Sequence, residues 1–72
     1  MTNRSLEETY KGHLIIVEAK HLAEDSWTYT VDIRLPDGNW LPTISDDDHT
    51  YEGATIALTS GLSDGKEQVD RP

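Results

Sequence analysis

The sequence predicts an α+β fold, a three-stranded antiparallel β-meander packed on one face by a C-terminal α-helix. Between Trp27 and Arg34, apolar or aromatic residues alternate strictly with polar ones, which is typical of strands with one buried face. From residue 51 onward, the apolar side chains fall on one side of a projection at about 100° per residue, which indicates an amphipathic helix.

The first predicted strand is Leu14–Lys20, and both of its faces are apolar at the centre. Ile15 and Val17 share one face, whereas Leu14 and Ile16 share the other. Because side chains alternate along a strand, one of these pairs must point away from the core. We expect Ile15 and Val17 to face the helix, which leaves Leu14 and Ile16 on the opposite side.

The N-terminal residues are predicted to lie outside the fold. Residues 1–9 are polar apart from the initiator methionine and Leu6. Polar termini are poorly ordered unless something ties them down. A mobile N-terminal arm over residues 1–9 is therefore expected to precede a single β-β-β-α domain over residues 10–72.

The second predicted strand, Trp27–Leu35, is rich in β-branched and aromatic residues. It ends in Pro36-Asp37-Gly38, where proline presets its own φ and glycine supplies the positive φ that a tight reversal needs. A short third strand is expected over Asn39–Thr43, and its proline restricts it to a sheet edge or a strand end.

The helix is predicted to start within Ser45–Thr50, where three consecutive aspartates and a threonine can accept hydrogen bonds from unpaired amides. Glycines at 53, 61 and 65 each weaken a helix by up to about 1 kcal/mol relative to alanine. Together with Ala57 they form an i, i+4 row of small residues, which would let a continuous helix approach the sheet or another chain closely.

The predicted core combines the inward side chains of the two long strands with one face of the helix. With no phenylalanine, two tryptophans and three tyrosines in 72 residues, a few large side chains must supply much of the burial. The expected members are Ile15, Val17, Trp27, Tyr29, Val31, Ile33, Ala54, Leu58, Leu62 and Val69.

The composition disfavours several classes of function. Fourteen acidic against six basic residues give a net charge of -8, which repels nucleic acid and anionic membranes. There is no cysteine, so disulfides, thiolate metal sites and cysteine nucleophiles are excluded. No segment approaches the roughly 18 apolar residues of a membrane span, and the start lacks the apolar region of a signal peptide. A cytoplasmic location is predicted.

No group of residues has the spacing of a catalytic, cofactor or metal site. The aspartates at 46–48 beside His49 lack the alternate spacing of a calcium loop, and the three histidines form no metal-binding pattern. No nucleophile motif surrounds any serine. We therefore predict a non-catalytic protein without cofactor or metal ion.

The functional signal that remains is an apolar surface on the side of the sheet away from the helix. Leu14 and Ile16 would lie there, and Trp40 is either a core anchor or part of an exposed aromatic patch. We expect these three residues to contact a protein partner of unknown identity, as in a small acidic interaction or regulatory module. The charge opposes self-association, so a monomer is favoured, with a weak homodimer that salt strengthens as the alternative.

Three sequence elements resemble a loose group of small, uncharacterised bacterial β-β-β-α proteins. They are Tyr10-Lys11-Gly12-His13, the pattern Trp-x-Tyr-x-Val-x-Ile-x-x-Pro-Asp-Gly that starts at Trp27, and Gly65-Lys66-x-x-Val69-Asp70. The resemblance spans about residues 10–70 and implies the fold, with no assigned activity and no functional residue.

Two further families are similar in architecture. HicB-like antitoxins place a Pro-Asp stretch between a strand and an acidic amphipathic helix, although Gly38-Asn39 here replaces their Leu-Pro-Gly. MbtH-like helpers of peptide synthetases are small, acidic and tryptophan-bearing and end near an Arg-Pro like Arg71-Pro72, but their Ser-x-Trp-Pro element is missing here. These similarities imply an antitoxin-like regulator or a peptide-synthetase helper as the alternative function.

Overall fold

The computed structural model describes residues 3–45 and 49–71, which form a four-stranded antiparallel sheet with one helix packed against it. The strands lie in chain order in the sheet. The predicted α+β fold, a β-meander followed by a C-terminal helix, is confirmed, with four strands in place of three. The elements are β1 (Arg4–Tyr10), β2 (His13–Ala23), β3 (Ser26–Arg34), β4 (Ile44–Ser45) and α1 (Ala54–Asp70).

The N-terminal segment forms an edge strand. β1 pairs with β2 along its whole length, with Arg4 opposite Ala19 and Tyr10 opposite His13. The structure thus differs from the predicted mobile arm over residues 1–9, because residues 4–9 belong to the sheet. Glu8 lies on the helix side of β1 and interrupts its apolar alternation, so the sequence pattern of this strand is weak.

A two-residue turn joins β1 to β2. Lys11 and Gly12 both have positive φ, 52° and 79°. Two central residues with positive φ define the type I′ turn, whose twist matches that of the flanking strands. The turn therefore fixes the register of the hairpin, and with it the face on which every side chain of β1 lies.

After β3 the chain follows the other edge of the sheet in short stretches. Gly38 has a φ of 96°, which confirms the predicted reversal. The predicted strand Asn39–Thr43 is reduced to a single bridge between Trp40 and Arg34, and β4 begins only at Ile44. Proline at position 42 has no N–H to donate, which interrupts the pairing at this point.

Helix α1 begins at Ala54, later than the predicted start within Ser45–Thr50. Gly53 is its N-cap, in extended conformation, and no side chain within residues 3–45 and 49–71 caps the helix. Ser45 belongs to β4, and Tyr51 exchanges two backbone hydrogen bonds of 2.8 Å with Trp27. Since the backbone of Tyr51 is used by the sheet, it cannot also be helical. The three aspartates predicted to cap the helix lie outside the described residues.

The small-residue row of α1 packs directly on the sheet. A Cβ atom at Gly61 would lie 2.5 Å from Cγ1 of Val17, and one at Gly65 would lie 2.7 Å from Cγ2 of Ile15. The helix is continuous through both glycines. Its axis lies antiparallel to β2, because the sheet contact moves from Val17 to Ile15 as the helix advances by one turn.

The core lies between α1 and the two central strands, largely as predicted. Of the expected residues, Ile15, Val17, Tyr29, Val31, Ile33 and Ala54 are buried, as are Ala19 and Ala57, which are not among the predicted members. The centre consists of Ile15, Val17, Tyr29, Val31 and Ile33, against which Tyr10, Leu41, Ile44, Tyr51, Leu58, Leu62 and Val69 pack.

Trp27 is not the core anchor that the sequence predicts. It is half-buried, and its ring stacks on His21 with centroids 4.6 Å apart. It lies on the helix side of β3 but beside the helix N-terminus, in a cavity that Gly53 and Ala54 also line. The later start of α1 therefore leaves this tryptophan at the margin of the core.

A hydrogen bond joins β3 to α1 across the core. The hydroxyl of Tyr29 donates to Oδ2 of Asp64 at 2.7 Å, and Tyr29 is 3% exposed. Burial first, and then the bond to this carboxylate, raise the pKa of Tyr29 above its ordinary value of 10.0. Folding therefore favours the neutral phenol.

We expect Tyr29→Phe to lower the free energy of unfolding by about 1 to 2 kcal/mol at neutral pH, because Asp64 loses its donor. An unfolded tyrosine ionises near pH 10, whereas folded Tyr29 keeps its proton. Its contribution is therefore complete below about pH 10 and is lost as the pH rises further. Urea denaturation at pH 7 and pH 11 measures the free energy of unfolding, and its difference between wild type and variant should be smaller at pH 11 than at pH 7.

The matched control is Tyr10→Phe, which removes a 2.9 Å hydrogen bond from a tyrosine to Asp70 at an exposed site. Solvent screens that bond, so we expect a smaller loss of stability than at Tyr29. If the difference in unfolding free energy between wild type and Tyr29→Phe stays constant from pH 7 to pH 11, folding does not raise the pKa of Tyr29 as proposed.

Candidate protein-interaction surface

The face of the sheet opposite α1 is the candidate site, and we call it the open face. In the described part of the chain, α1 is the only helix packed on the sheet, and it covers the other side. Alternation along the strands, together with the pairing, assigns to the open face the side chains of Ser5, Glu7, Thr9, Leu14, Ile16, Glu18, Lys20, Thr28, Thr30, Asp32 and Arg34.

The structure brings the three predicted interaction residues to this face. Leu14 and Ile16 are half-buried, and Trp40 is 52% exposed. Leu14 is paired with Arg34, which in turn is bridged to Trp40. Since neighbouring strands are about 4.8 Å apart, the backbones of Leu14 and Trp40 are separated by roughly 10 Å, with Arg34 between them.

A shallow cavity of about 290 Å³ lies at this end of the open face. Its lining offers one guanidinium group, one hydroxyl group and apolar surface, without a carboxylate or an imidazole. Such a cavity can accept a side chain of another protein but supplies no acid–base pair for catalysis. The lining residues are Thr9, Gly12, Leu14, Arg34, Leu35 and Pro36.

Carboxylates border the apolar residues. Ile16 is flanked by Glu7 on β1 and by Asp32 on β3, its partners in the two neighbouring strands. Glu18 follows Ile16 on the same face of β2. Leu14 and Ile16 thus form an apolar stripe on the open face, with carboxylates around Ile16 and with Thr9 and Arg34 as the cross-strand partners of Leu14.

Polar contacts fix the β1–β2 hairpin against the end of α1. Lys66 Nζ lies 2.7 Å from Oε2 of Glu8, and Lys11 Nζ lies 2.6 Å from Oδ1 of Asp70. The hydrogen bond from Lys11, followed by that from Tyr10, lowers the pKa of Asp70. Sequence reasoning missed these contacts, although the residues belong to the Tyr-Lys-Gly-His and Gly-Lys-x-x-Val-Asp elements singled out above.

A second cavity, of about 390 Å³, lies on the helix side of the sheet near the start of α1. Trp27 and Arg4 line it together with the first turn of the helix. Ile56, in that turn, is 53% exposed. None of the predicted interaction residues lines this cavity, so it is separate from the open face.

The remaining candidates for chemistry are dispersed. Within residues 3–45 and 49–71, no three histidine, aspartate or glutamate side chains form a group that could hold a metal ion. His13 lies 3.0 Å from the carbonyl of Lys11, and His21 stacks on Trp27. Within the described residues, no helix is long and apolar enough to cross a membrane. Comparison with known proteins leaves the site to be interpreted from its own chemistry, since no family model, curated protein or solved structure matches this chain.

Proposed function

We propose that this protein is a cytoplasmic, non-catalytic interaction module that binds a protein partner through the open face. The observation that supports this proposal best is the position of Leu14 and Ile16 on a sheet face that no helix of the described chain covers. A solvated sheet face normally carries polar residues, and adjacent aliphatic side chains on it are typical of a binding surface.

Trp40 lies beyond Arg34 from the apolar stripe and is the strongest anchor on the open face. Tryptophan is enriched among the residues that dominate binding energy, and burial of the half-exposed ring would remove a large apolar area from water. The neighbouring shallow cavity offers a place for a side chain of the partner. These features favour binding over catalysis.

The charge of the chain indicates which partner fits. Glu7, Glu18 and Asp32 surround Ile16, and the net charge of -8 attracts cations at long range. We propose that the partner presents an apolar centre with basic residues around it. Such complementarity raises the association rate and excludes acidic competitors.

The experiment is a pull-down from the native host with three matched variants. Ile16→Ser and Trp40→Ala alter the open face, while Ile56→Ser makes the same kind of change at a residue of α1 that is 53% exposed. We expect wild type and Ile56→Ser to capture the same partner, and the two open-face variants to lose affinity by roughly tenfold or more.

Each variant must first show a cooperative thermal transition, so that loss of binding is not loss of fold. Capture that persists in Ile16→Ser and Trp40→Ala but fails in Ile56→Ser would contradict the open-face proposal. If the captured partner is a small toxin or a peptide synthetase, the antitoxin-like or helper role implied by the sequence similarities becomes the specific function.

A further inference from the structure

The outer edge of β1 is the second feature of the molecule suited to binding. Backbone groups of an antiparallel strand point alternately to its two neighbours. On β3, the odd-numbered residues bond away from β2, since Trp27 bonds to Tyr51 and the carbonyl of Ile33 accepts from Leu41. The even-numbered residues of β3 therefore bond to β2.

The same alternation fixes the direction of every backbone group on β1. From Leu14 to Lys20, the even-numbered residues of β2 are paired with even-numbered residues of β3, and these pairs exchange backbone hydrogen bonds. The odd-numbered residues of β2 therefore form their backbone hydrogen bonds with β1. Their partners on β1 are the even-numbered residues. The N–H and C=O groups of Ser5, Glu7 and Thr9 consequently point outward, and we call these three residues the β1 edge.

The two edges of the sheet differ. On the far side, the bridge at Trp40, the two residues of β4 and the bridge at Tyr51 occupy β3. The β1 edge belongs to a seven-residue strand, and none of the residues that the structure describes pairs with it. A continuous unpaired edge of this kind is a template for a strand from another chain.

The negative charge of Glu7 disfavours a second copy of the chain as the strand that pairs with the β1 edge. Two copies paired about a two-fold axis in the register of full overlap would place Glu7 opposite the second copy's Glu7, with Ser5 opposite Thr9. Like charges directly opposite each other destabilise a strand pair. Glu8 is held on the helix side by Lys66 at 2.7 Å, so Glu7 is the β1 carboxylate that lies on the open face.

We propose that the partner contributes an extended segment that adds to β1 as a fifth strand, with a lysine or arginine opposite Glu7. This inference rests on the proposed binding function and specifies how the partner is held. The added strand bonds to the backbone of the β1 edge. Its alternate side chains extend the open face beside Leu14 and Ile16, and its basic residue pairs with Glu7.

The test uses three synthetic peptides and NMR of the full chain labelled with ¹⁵N. The first probe is acetyl-Thr-Val-Thr-Lys-Thr-Val-Thr-amide. The second carries glutamate in place of the lysine, and the third keeps the lysine but is N-methylated at that residue, which removes a donor without changing the charge.

We expect the lysine peptide to shift the amide signals of Ser5, Glu7 and Thr9 and to slow their hydrogen exchange. The glutamate and N-methylated peptides should bind roughly tenfold more weakly, the former through repulsion and the latter through a lost backbone bond. In Glu7→Lys, the preference between the lysine and glutamate peptides should reverse. Ser63→Ala, on the exposed side of α1, should leave it unchanged.

Equal shifts with all three peptides, or none at millimolar concentration, would overturn the strand addition. Slow exchange of Ser5, Glu7 and Thr9 in the protein alone, together with sedimentation as a dimer, would overturn it in favour of a second copy. If the peptides do not bind but partner capture still depends on Ile16 and Trp40, the strand addition is wrong and the open-face function is retained. If the lysine peptide binds but Ile16→Ser and Trp40→Ala still capture the partner normally, the open-face function is wrong and strand addition at the β1 edge is retained.

Discussion

Gly61→Ala should destabilise the domain by about 1 to 3 kcal/mol, the cost of overpacking a well-packed core. The opposite result is usual, since alanine in a helix interior is favoured over glycine by up to about 1 kcal/mol. Here the new methyl carbon would lie 2.5 Å from Cγ1 of Val17 and 3.0 Å from the ring of Tyr29. Both neighbours are buried between helix and sheet, so neither can move aside without disturbing the core.

Urea denaturation followed by circular dichroism measures this effect, with Ser63→Ala as the control. Ser63 lies on the exposed side of the same helix, so its replacement should change stability by less than about 0.5 kcal/mol. Gly61→Val should be worse than Gly61→Ala because it adds two further carbons at the same contact. A Gly61→Ala variant as stable as wild type would show that the helix lies farther from the sheet.

Tyr29→Ala should remove a large part of the stability of the domain, whereas Trp40→Ala should leave it nearly unchanged. Truncation of a large buried aromatic residue costs about 3–5 kcal/mol, and a chain of this size has a total stability of roughly 4–10 kcal/mol. Tyr29 is 3% exposed and also donates to Asp64, while Trp40 is 52% exposed. Trp27, half-buried against His21, should fall between the two.

Thermal unfolding of the three single variants, followed at 222 nm, orders them directly. The expected order of destabilisation is Tyr29→Ala, then Trp27→Ala, then Trp40→Ala. If Trp27→Ala is destabilised as much as Tyr29→Ala, the tryptophan contributes to the core as the sequence predicts. If Trp40→Ala fails to fold, the exposed ring has a structural role and the open-face variant cannot report on binding.

The central hairpin could be predicted from the sequence because its information is local. Strict alternation over Trp27–Arg34 fixes which side of the strand is buried, and the positive φ of Gly38 follows from the turn residues around it. The same alternation in the preceding strand correctly separates Ile15 and Val17 from Leu14 and Ile16. The side of the sheet on which Leu14 and Ile16 lie is therefore readable without a structure, whereas the sequence leaves the position of Trp40 open.

The rest depends on interactions between distant parts of the chain. Glu8 interrupts the apolar alternation of β1, so the sequence pattern of this strand is not recognised. Its position on the helix side is favourable because Lys66 of α1 forms an ion pair with it. The start of α1 is set by Tyr51, whose backbone pairs with Trp27 across the sheet edge. The exposure of Trp27 in turn depends on where the helix begins, which no local pattern around Trp27 specifies.

The outward direction of the backbone at Glu7 could not be predicted for a related reason. It follows from the pairing parity of three successive strands, and a shift of one residue in either hairpin would turn the carboxylate and its amide the other way. The type I′ turn at Lys11 and Gly12 fixes that parity for the first hairpin. Turn conformation thus determines which backbone groups and which side chains the β1 edge presents.

The asymmetry between the two sides of the sheet also limits how large an assembly can become. A sheet with two long unpaired edges can accept a strand on each side and grow into a fibre. In this protein the far edge is divided among Trp40, β4 and Tyr51, which leaves one side available for extension in the described chain. The protein itself therefore offers one long edge for strand addition, and any further growth of the sheet would depend on the outer edge of the added segment.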